Sequence, residues 1–363
     1  MISFATLADR LQSSPRFRSA AGAFVLSRPL ARRRARAVFD LTAGFVYSQV
    51  LLACVELDLP RLLLRGPATA ENLAKTLDMT PAATLRLLNA ATSLNIARRR
   101  RGGRYGLGRA GAALIDNPGV NAMVAHHRLL YDDLRDPVAL LRGKAGPTRL
   151  AGYWPYATQA ALPGASEVAS YTALMAASQA MIAEQAMTAC DLRKHRVLLD
   201  VGGGDGSFLA AAAKRSSGLR LMLFDLPAVA ALASSRFERD GLASRATVHP
   251  GDFRKDPLPR GADLVSFVRV LHDHDDDTVR LLLHRAREAL APGGTLLVIE
   301  PMAETPGAEA MADAYFGFYL LAMGSGTPRS ASRLRTMLRD AGFQRSELLP
   351  TNLPLVTQLI AAS

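Results

Sequence analysis

The run Val197–Leu198–Leu199–Asp200–Val201–Gly202–Gly203–Gly204–Asp205–Gly206 constrains this chain more than any other stretch. An apolar segment of strand character breaks into glycines and then opens a helix, predicted over 207–215. A second strand, predicted over 219–224, ends in an acid, Asp225. Glycines let a main chain approach a bulky ligand where any Cβ would clash. An acid at the tip of the next strand can accept both hydroxyls of a ribose. The pattern predicts an α/β fold, a doubly wound Rossmann-like sheet, with a nucleoside cradle built on Gly202, Gly204 and Asp225.

The glycine spacing bears on which nucleoside. A dinucleotide fingerprint reads G-x-G-x-x-G, whereas Gly202, Gly204 and Gly206 read G-x-G-x-G. Asp205 adds an acid where a pyrophosphate favours a helix N-terminus clear of negative charge. No G-x-x-x-x-G-K-[ST] stretch is present, which excludes a P-loop triphosphate site. An acidic, glycine-rich loop suits a cationic nucleoside without phosphates, and S-adenosylmethionine, with its sulfonium, amino group and ribose, meets that description. Farther on, Asp252 of His249–Pro250–Gly251–Asp252–Phe253 can accept from an adenine amino group, and Phe253 can cover the ring face.

A buried strand over 262–268 follows, then Arg269–Val270–Leu271–His272–Asp273, a helix to Leu290, the turn Ala291–Pro292–Gly293–Gly294, and a strand over 295–299 ending in Glu300. Taken in order, LLDVGGGDG, LFDLP, GDF, VRVLHD and LAPGGTLLVIEP resemble the S-adenosylmethionine-dependent O-methyltransferases of the caffeate/hydroxyindole type. The motifs span about residues 195–345, and the N-terminal third is similar to that family's dimerisation domain. The resemblance implies a class I methyltransferase domain over 151–363, a winged-helix-like dimerisation domain over 38–150, a basic segment over 1–37, and a homodimer.

The N-terminal pattern agrees with this. Residues 38–64 read as a long helix apolar on several sides, as an intertwined interface requires. Thr69 caps a helix to Leu77, and Thr80 with Pro81 opens a second. A hairpin around Gly102–Gly103 completes a helix–turn–helix–wing order. That order raises DNA binding as an alternative. The second helix, rich in Ala and Leu with Arg86 and Asn89 as its main polar groups, lacks the side chains that read base edges. No nucleic-acid partner is expected.

Methyl transfer to an oxygen needs a base, an in-line approach and exclusion of water. By the resemblance, His272 is the proton acceptor and Glu300 the acid that holds its tautomer and steadies the imidazolium. Asp313 and Glu309 are weaker candidates for a second flanking acid. The resemblance further implies Arg269 and Ser178 beside the cofactor, and Met175 beside the substrate. Relatives often read His-Asp-Trp. Here the string His272–Asp273–His274–Asp275–Asp276–Asp277 places two histidines and four acids in six residues, which invites a metal. Acids at a helix N-terminus are also favoured by the macrodipole, and that reading is preferred, with no metal expected.

The stretches ARRRARAVFDLTAGFVYSQVLLACVELDL, HHRLLYDDLRDPVALLRG and RVLHDHDDD look most like the bacterial carotenoid branch of the family. That implies a tertiary hydroxyl at the end of a long polyene as acceptor. Tyr319 and Met323, in the apolar run 315–323, and Tyr153–Trp154–Pro155–Tyr156 are candidates to line its pocket, core packing being the alternative for each. Small phenols or polyketides, and C-methylation in a chlorophyll pathway, are the competing substrates. A catalytically dead relative is disfavoured by the complete cradle.

Two cysteines, Cys54 and Cys190, exclude a disulfide framework. No apolar run near 18 residues is free of charge, so no spanning helix is expected, and no secretory h-region opens the chain. The net charge of +12 is concentrated: residues 1–38 hold eight arginines and one acid, and Arg98 to Arg101 with Arg104 form a second cluster. Such patches attract phosphates, although charge runs are commonly solvated faces. The expectation is a cytoplasmic protein with peripheral contact on an anionic membrane.

Overall fold

The computed structural model describes residues 4–153, 165–354 and 356–363, so Trp154, Pro155 and Tyr156 lie outside the described residues. The chain divides into two compact units, Met1–Asn117 and Pro118–Ser363. The first is helical. A long helix, Arg28–Glu56, is followed by Asp58, whose left-handed φ of 48° turns the chain into the short helix Leu59–Leu64. The predicted single helix over 38–64 is thus two. Thr69 accepts from the Asn72 N–H, and Thr80 from the Ala83 N–H, as their N-cap positions predict. Strands β1 (Ala97–Arg99) and β2 (Tyr105–Leu107) pair antiparallel across Gly102 and Gly103, both left-handed. Leu59, Leu88, Ala91 and Cys54 form the centre of this unit.

Contrary to expectation, Arg28–Glu56 is long and apolar enough to cross a membrane by length and composition. Much of its surface is exposed, Val38, Phe39, Leu41 and Phe45 each by more than 60%. One aspartate, Asp40, interrupts the apolar stretch without lowering its mean hydropathy much.

The second unit begins at Pro118, not at 151. Helix Pro118–Asp133 crosses helix Ala165–Ala189 so closely that a Cβ on Gly119 would lie 2.6 Å from the Ala177 carbonyl oxygen. The Asp133 carboxylate accepts from the Arg149 and Leu150 N–H groups, and Thr148 donates to the Ala322 carbonyl. The Gly119–Ala177 approach and the Thr148–Ala322 bond tie 118–150 to the rest of the second unit.

That sheet contains β3 (Val197–Val201), β4 (Arg220–Asp225), β5 (Ala246–Pro250), β6 (Ala262–Val268), β7 (Leu290–Glu300), β8 (Ser346–Leu349) and β9 (Gln358–Ala362), in the order β5-β4-β3-β6-β7-β9-β8. The first five run parallel, and β9 and β8 add antiparallel. Strands buried on both faces are apolar at most positions, which is why β3 reads Val-Leu-Leu-Asp-Val, its one acid satisfied by Ser266 Oγ. Its alternation sends Leu199 and Val201 to a core under helices Asp276–Ala289 and Ala331–Asp340, and Leu198 to one under helices Ser207–Arg215 and Pro227–Arg239. Chain order reverses between β3 and β6. In open α/β sheets ligands bind at that point, beyond the strands' carboxyl ends.

Candidate functional site

A cavity opens at the reversal. Gly202, Gly203, Gly204, Asp205, Asp225, Asp252, Phe253, Arg269, Val270, Asp273 and His274 line it, closed on one side by Thr172, Met175 and Gln179 of helix Ala165–Ala189. Gly202 sits at φ 69°, and a Cβ there would press within 2.8 Å of Val270 Cγ2. Gly204, at φ 61°, is different: its Cβ position meets only Thr172 Cγ2, at 4.0 Å. The space above Gly204 is open enough for a ligand to reach its main chain.

Asp225 closes the cradle. Its carboxylate accepts from the Gly204 N–H (2.8 Å) and the Leu226 N–H (2.7 Å). One lone pair per oxygen remains, enough for two vicinal hydroxyls. Burial pushes its pKa up to about 7, against the lowering by those two donors. Beneath the loop lies Asp200, wholly buried on β3; it accepts from Ser266 Oγ at 2.6 Å, and burial raises it to about 7 as well. Asp205 lines the cavity but is neutralised within the protein, since the Arg236 guanidinium donates to it and Ser207 Oγ donates at 2.6 Å. The loop is less acidic toward a ligand than its sequence implies, because Arg236 reaches back from the next helix. Asp252 likewise accepts from the Arg254 N–H (2.9 Å) and lies 3.3 Å from Lys255 Nζ, with Phe253 beside it edge-on to His274, ring centroids 5.2 Å apart.

Arg269 follows β6 at φ 55°, a conformation bulky residues rarely hold. Helix Ala165–Ala189 secures it: the guanidinium donates to Ser178 Oγ (2.7 Å), the Met175 carbonyl (2.9 Å) and Gln179 Oε1 (2.6 Å). Ser178 therefore holds Arg269 and does not line the cavity, while Met175 lines the nucleoside cavity itself. Gln179 was not anticipated; its helical spacing from Met175 is the only signal, and that spacing alone reads as core.

His272 stands on a short 3-10 turn, Leu271–Asp273, and is 7% exposed. Glu300, the expected ring partner, lies within ion-pair reach of the ring but is not hydrogen-bonded to it. Glu300 Oε2 accepts the His272 main-chain N–H at 3.1 Å and lies 3.9 Å from Nδ1. The ring's partner is Asp273, whose Oδ1 lies 3.0 Å from Nε2. Asp313 instead faces the Glu304 N–H, and Glu309 is exposed. Adjacency hid Asp273, because consecutive residues rarely meet through their side chains on regular elements; the 3-10 turn permits it. His272 Nδ1 and Glu300 Oε1 are buried without a hydrogen-bond partner among the described residues. Burial opposes the imidazolium, yet the Asp273 and Glu300 carboxylates outweigh it and raise the pKa of His272 above its ordinary value. The neighbouring carboxyl of Glu300 is raised by its own burial.

The acids that suggested a metal have other partners. Asp275 caps the Thr278 N–H, Asp276 meets Arg329 and Arg333, and Asp277 meets Arg280. Arg329, 4% exposed, is a second residue the sequence did not reveal. It donates to the Leu271 (2.9 Å), Thr327 (3.2 Å) and His274 (2.7 Å) carbonyls and to Asp276 (2.7 Å), clamping the turn that carries His272. Tyr319 and Met323 are buried among Leu130, Leu140 and Leu150, outside the cavity lining, and the Tyr319 hydroxyl lies 2.9 Å from His126 Nε2. The ring nearest His272 on that side is Phe316, 5.8 Å between centroids.

The cradle fits the expected cofactor: a berth bare of side chain at Gly204, spare carboxylate lone pairs at Asp225, and the Phe253 ring. Comparisons with known proteins agree. An O-methyltransferase domain matches residues 131–344, and an O-methyltransferase dimerisation domain matches 39–117. Demethylspheroidene O-methyltransferase of Cereibacter sphaeroides is 45% identical over 98% of this chain and 94% of that protein. The Rhodobacter capsulatus protein of the same name is 41% identical over 91% of this chain and 82% of its own length. Among solved structures, human N-acetylserotonin methyltransferase in complex with S-adenosylmethionine superposes with a TM-score of 0.75 at 24% identity, covering 91% of this chain and 97% of that one, a likeness of fold.

Proposed function

The chain belongs to the S-adenosylmethionine-dependent O-methyltransferases, and we propose that it methylates the tertiary hydroxyl of a hydroxycarotenoid with His272 as general base. Identity of 45% along nearly the whole chain to a demethylspheroidene O-methyltransferase is the observation that carries the acceptor. The dimerisation domain makes the protein a homodimer.

S-adenosylmethionine, when bound, supplies an electrophilic methyl group. Asp225 receives the ribose hydroxyls, Gly204 leaves room for the nucleoside, Phe253 covers the adenine and Asp252 faces its amino group; Arg269 borders the tail. For two hydroxyls to donate to Asp225, its carboxyl must be ionised. With a pKa near 7, affinity for S-adenosylhomocysteine is expected to fall below pH 7, by up to ~10-fold per unit for one proton. Calorimetric titration from pH 5.5 to 8.5 checks this, and Asp225→Asn removes the slope while weakening binding.

A tertiary alcohol is far too weak an acid for prior deprotonation by imidazole, whose ordinary pKa is ~6.5. The proton leaves as the new C–O bond forms. The neutral ring takes that proton, and the imidazolium that results is stabilised by Asp273, 3.0 Å from Nε2, and by Glu300, 3.9 Å from Nδ1. Only the neutral ring can accept, so kcat/KM is expected to rise with pH through an inflection above ~6.5, since both carboxylates raise the His272 pKa. The same shift contributes stability that is complete below the unfolded value and lost as pH rises through the folded one. An inflection at or below the ordinary value would remove His272 as the titrating base.

The deciding experiment offers methyl-labelled S-adenosylmethionine with 1-hydroxycarotenoids in detergent, beside a panel of phenols, and reads products by mass spectrometry. Label in a carotenoid ether is the expected result. Label confined to phenols would retain O-methylation and overturn the acceptor.

A further inference from the structure

We propose that the N-terminal helical hairpin docks the protein on an anionic lipid bilayer, the turn Phe24–Val25–Leu26 entering the acyl region while the arginines beside it hold the headgroups. This stands independently of the acceptor proposed above, since it concerns the surface of the first unit alone.

Helix Pro15–Ala23 and helix Arg28–Glu56 meet at a turn whose three central side chains point into solvent: Phe24 is 62% exposed, Val25 71% and Leu26 81%. Three consecutive large apolar residues at an exposed tip are a liability unless something covers them. The tip is not frayed chain. Ser27 Oγ donates to the Ala21 carbonyl (2.7 Å), and the Arg28 guanidinium donates to the Ala23 carbonyl (3.0 Å).

The charge around the tip says what the cover is. Arg16, Arg28, Arg32, Arg33, Arg34 and Arg36 are all exposed, and residues 1–38 hold eight arginines against one acid. Among the described residues the one ion pair these arginines make is Arg36 with Asp40, at 3.6 Å and largely in solvent. The first turn of Arg28–Glu56 carries no acid, so the arginines add to the positive end of the helix dipole and leave a strong uncompensated field. A second copy of this chain can cover the apolar tip but brings the same charge against it. Nucleic acid meets the charge but not the tip. An anionic bilayer meets both, with about fivefold in partitioning for each arginine near its surface.

Flotation of the full-length protein with vesicles tests this. Binding is expected with equimolar phosphatidylcholine and phosphatidylglycerol, weaker with phosphatidylcholine alone, and weakened by salt. The triple variant F24S/V25S/L26S is expected to lose at least ~10-fold in partitioning, from the apolar burial forgone. The variant R32E/R33E/R34E is expected to lose the preference for phosphatidylglycerol. Both are expected to retain dimer mass and methyl transfer to an acceptor in detergent, which guards against misfolding. A further readout is Phe24→Trp: its emission is quenched by brominated lipid beyond the baseline that Trp154 sets in the parent protein. Vesicle binding unchanged in the serine variant, equal binding to neutral and anionic vesicles, or a serine variant altered only in dimer mass would overturn the proposal.

Discussion

Replacing His272 by alanine is expected to lower kcat on a carotenoid alcohol about 10²–10⁴-fold while S-adenosylhomocysteine binding stays within a few-fold. The two effects separate because His272 lies on the turn beyond the cavity lining, whereas the cradle is built from Gly202, Gly204 and Asp225. Loss is expected to be larger for an alcohol than for a phenol, since a phenolate forms with little help and an alkoxide does not. Parallel single-turnover measurements on the two acceptors give the comparison. Turnover near that of the parent on a saturating alcohol would remove the base assignment. A companion variant, Asp273→Asn, keeps the size of the ring's partner but withdraws its charge, and is expected to lower the pH inflection as well as the rate.

Arg329→Met is expected to destabilise the second unit by about 2–3 kcal/mol, with the Asp276 bond discounted for its partial exposure. The reason is the set of groups left behind. The Leu271, Thr327 and His274 carbonyls lose the guanidinium that donates to them, and Leu271 and His274 bracket the His272 turn. Thermal unfolding is expected to fall by ~4–12 °C. A lower kcat with nearly unchanged affinity for S-adenosylhomocysteine should accompany it, because the clamp bears on the His272 turn and not on the Gly204 cradle. Arg329→Lys should recover little, since one ammonium cannot serve four divergent acceptors. Equal losses in kcat and cofactor affinity would identify Arg329 as a support of the whole fold and not of this turn.

Much of the architecture was legible because it rests on local chemistry. The apolar positions of β3, the glycines that follow it and the acid ending β4 each report a backbone demand that one or two residue types meet. Thr69, Thr80 and Asp275 cap their helices as a side-chain oxygen before a helical run requires. The boundary between units was not legible, since Gly119 against Ala177 is a contact across distant sequence, and nothing local marks 118–150 as belonging to the sheet's side of the chain.

The site divides along the same line. The sequence by itself determined the cradle of Gly202, Gly204 and Asp225 and the position of His272, because glycine conformation and strand-end placement are written into consecutive residues. Only the tertiary structure decided which groups face one another. It paired Asp205 with Arg236, turned Ser178 toward Arg269, gave the His272 ring to Asp273 and its main chain to Glu300, and brought Arg329 from beyond residue 320 to clamp that turn. Charged side chains choose partners by distance and burial in three dimensions, and spacing along the chain carries no record of that choice.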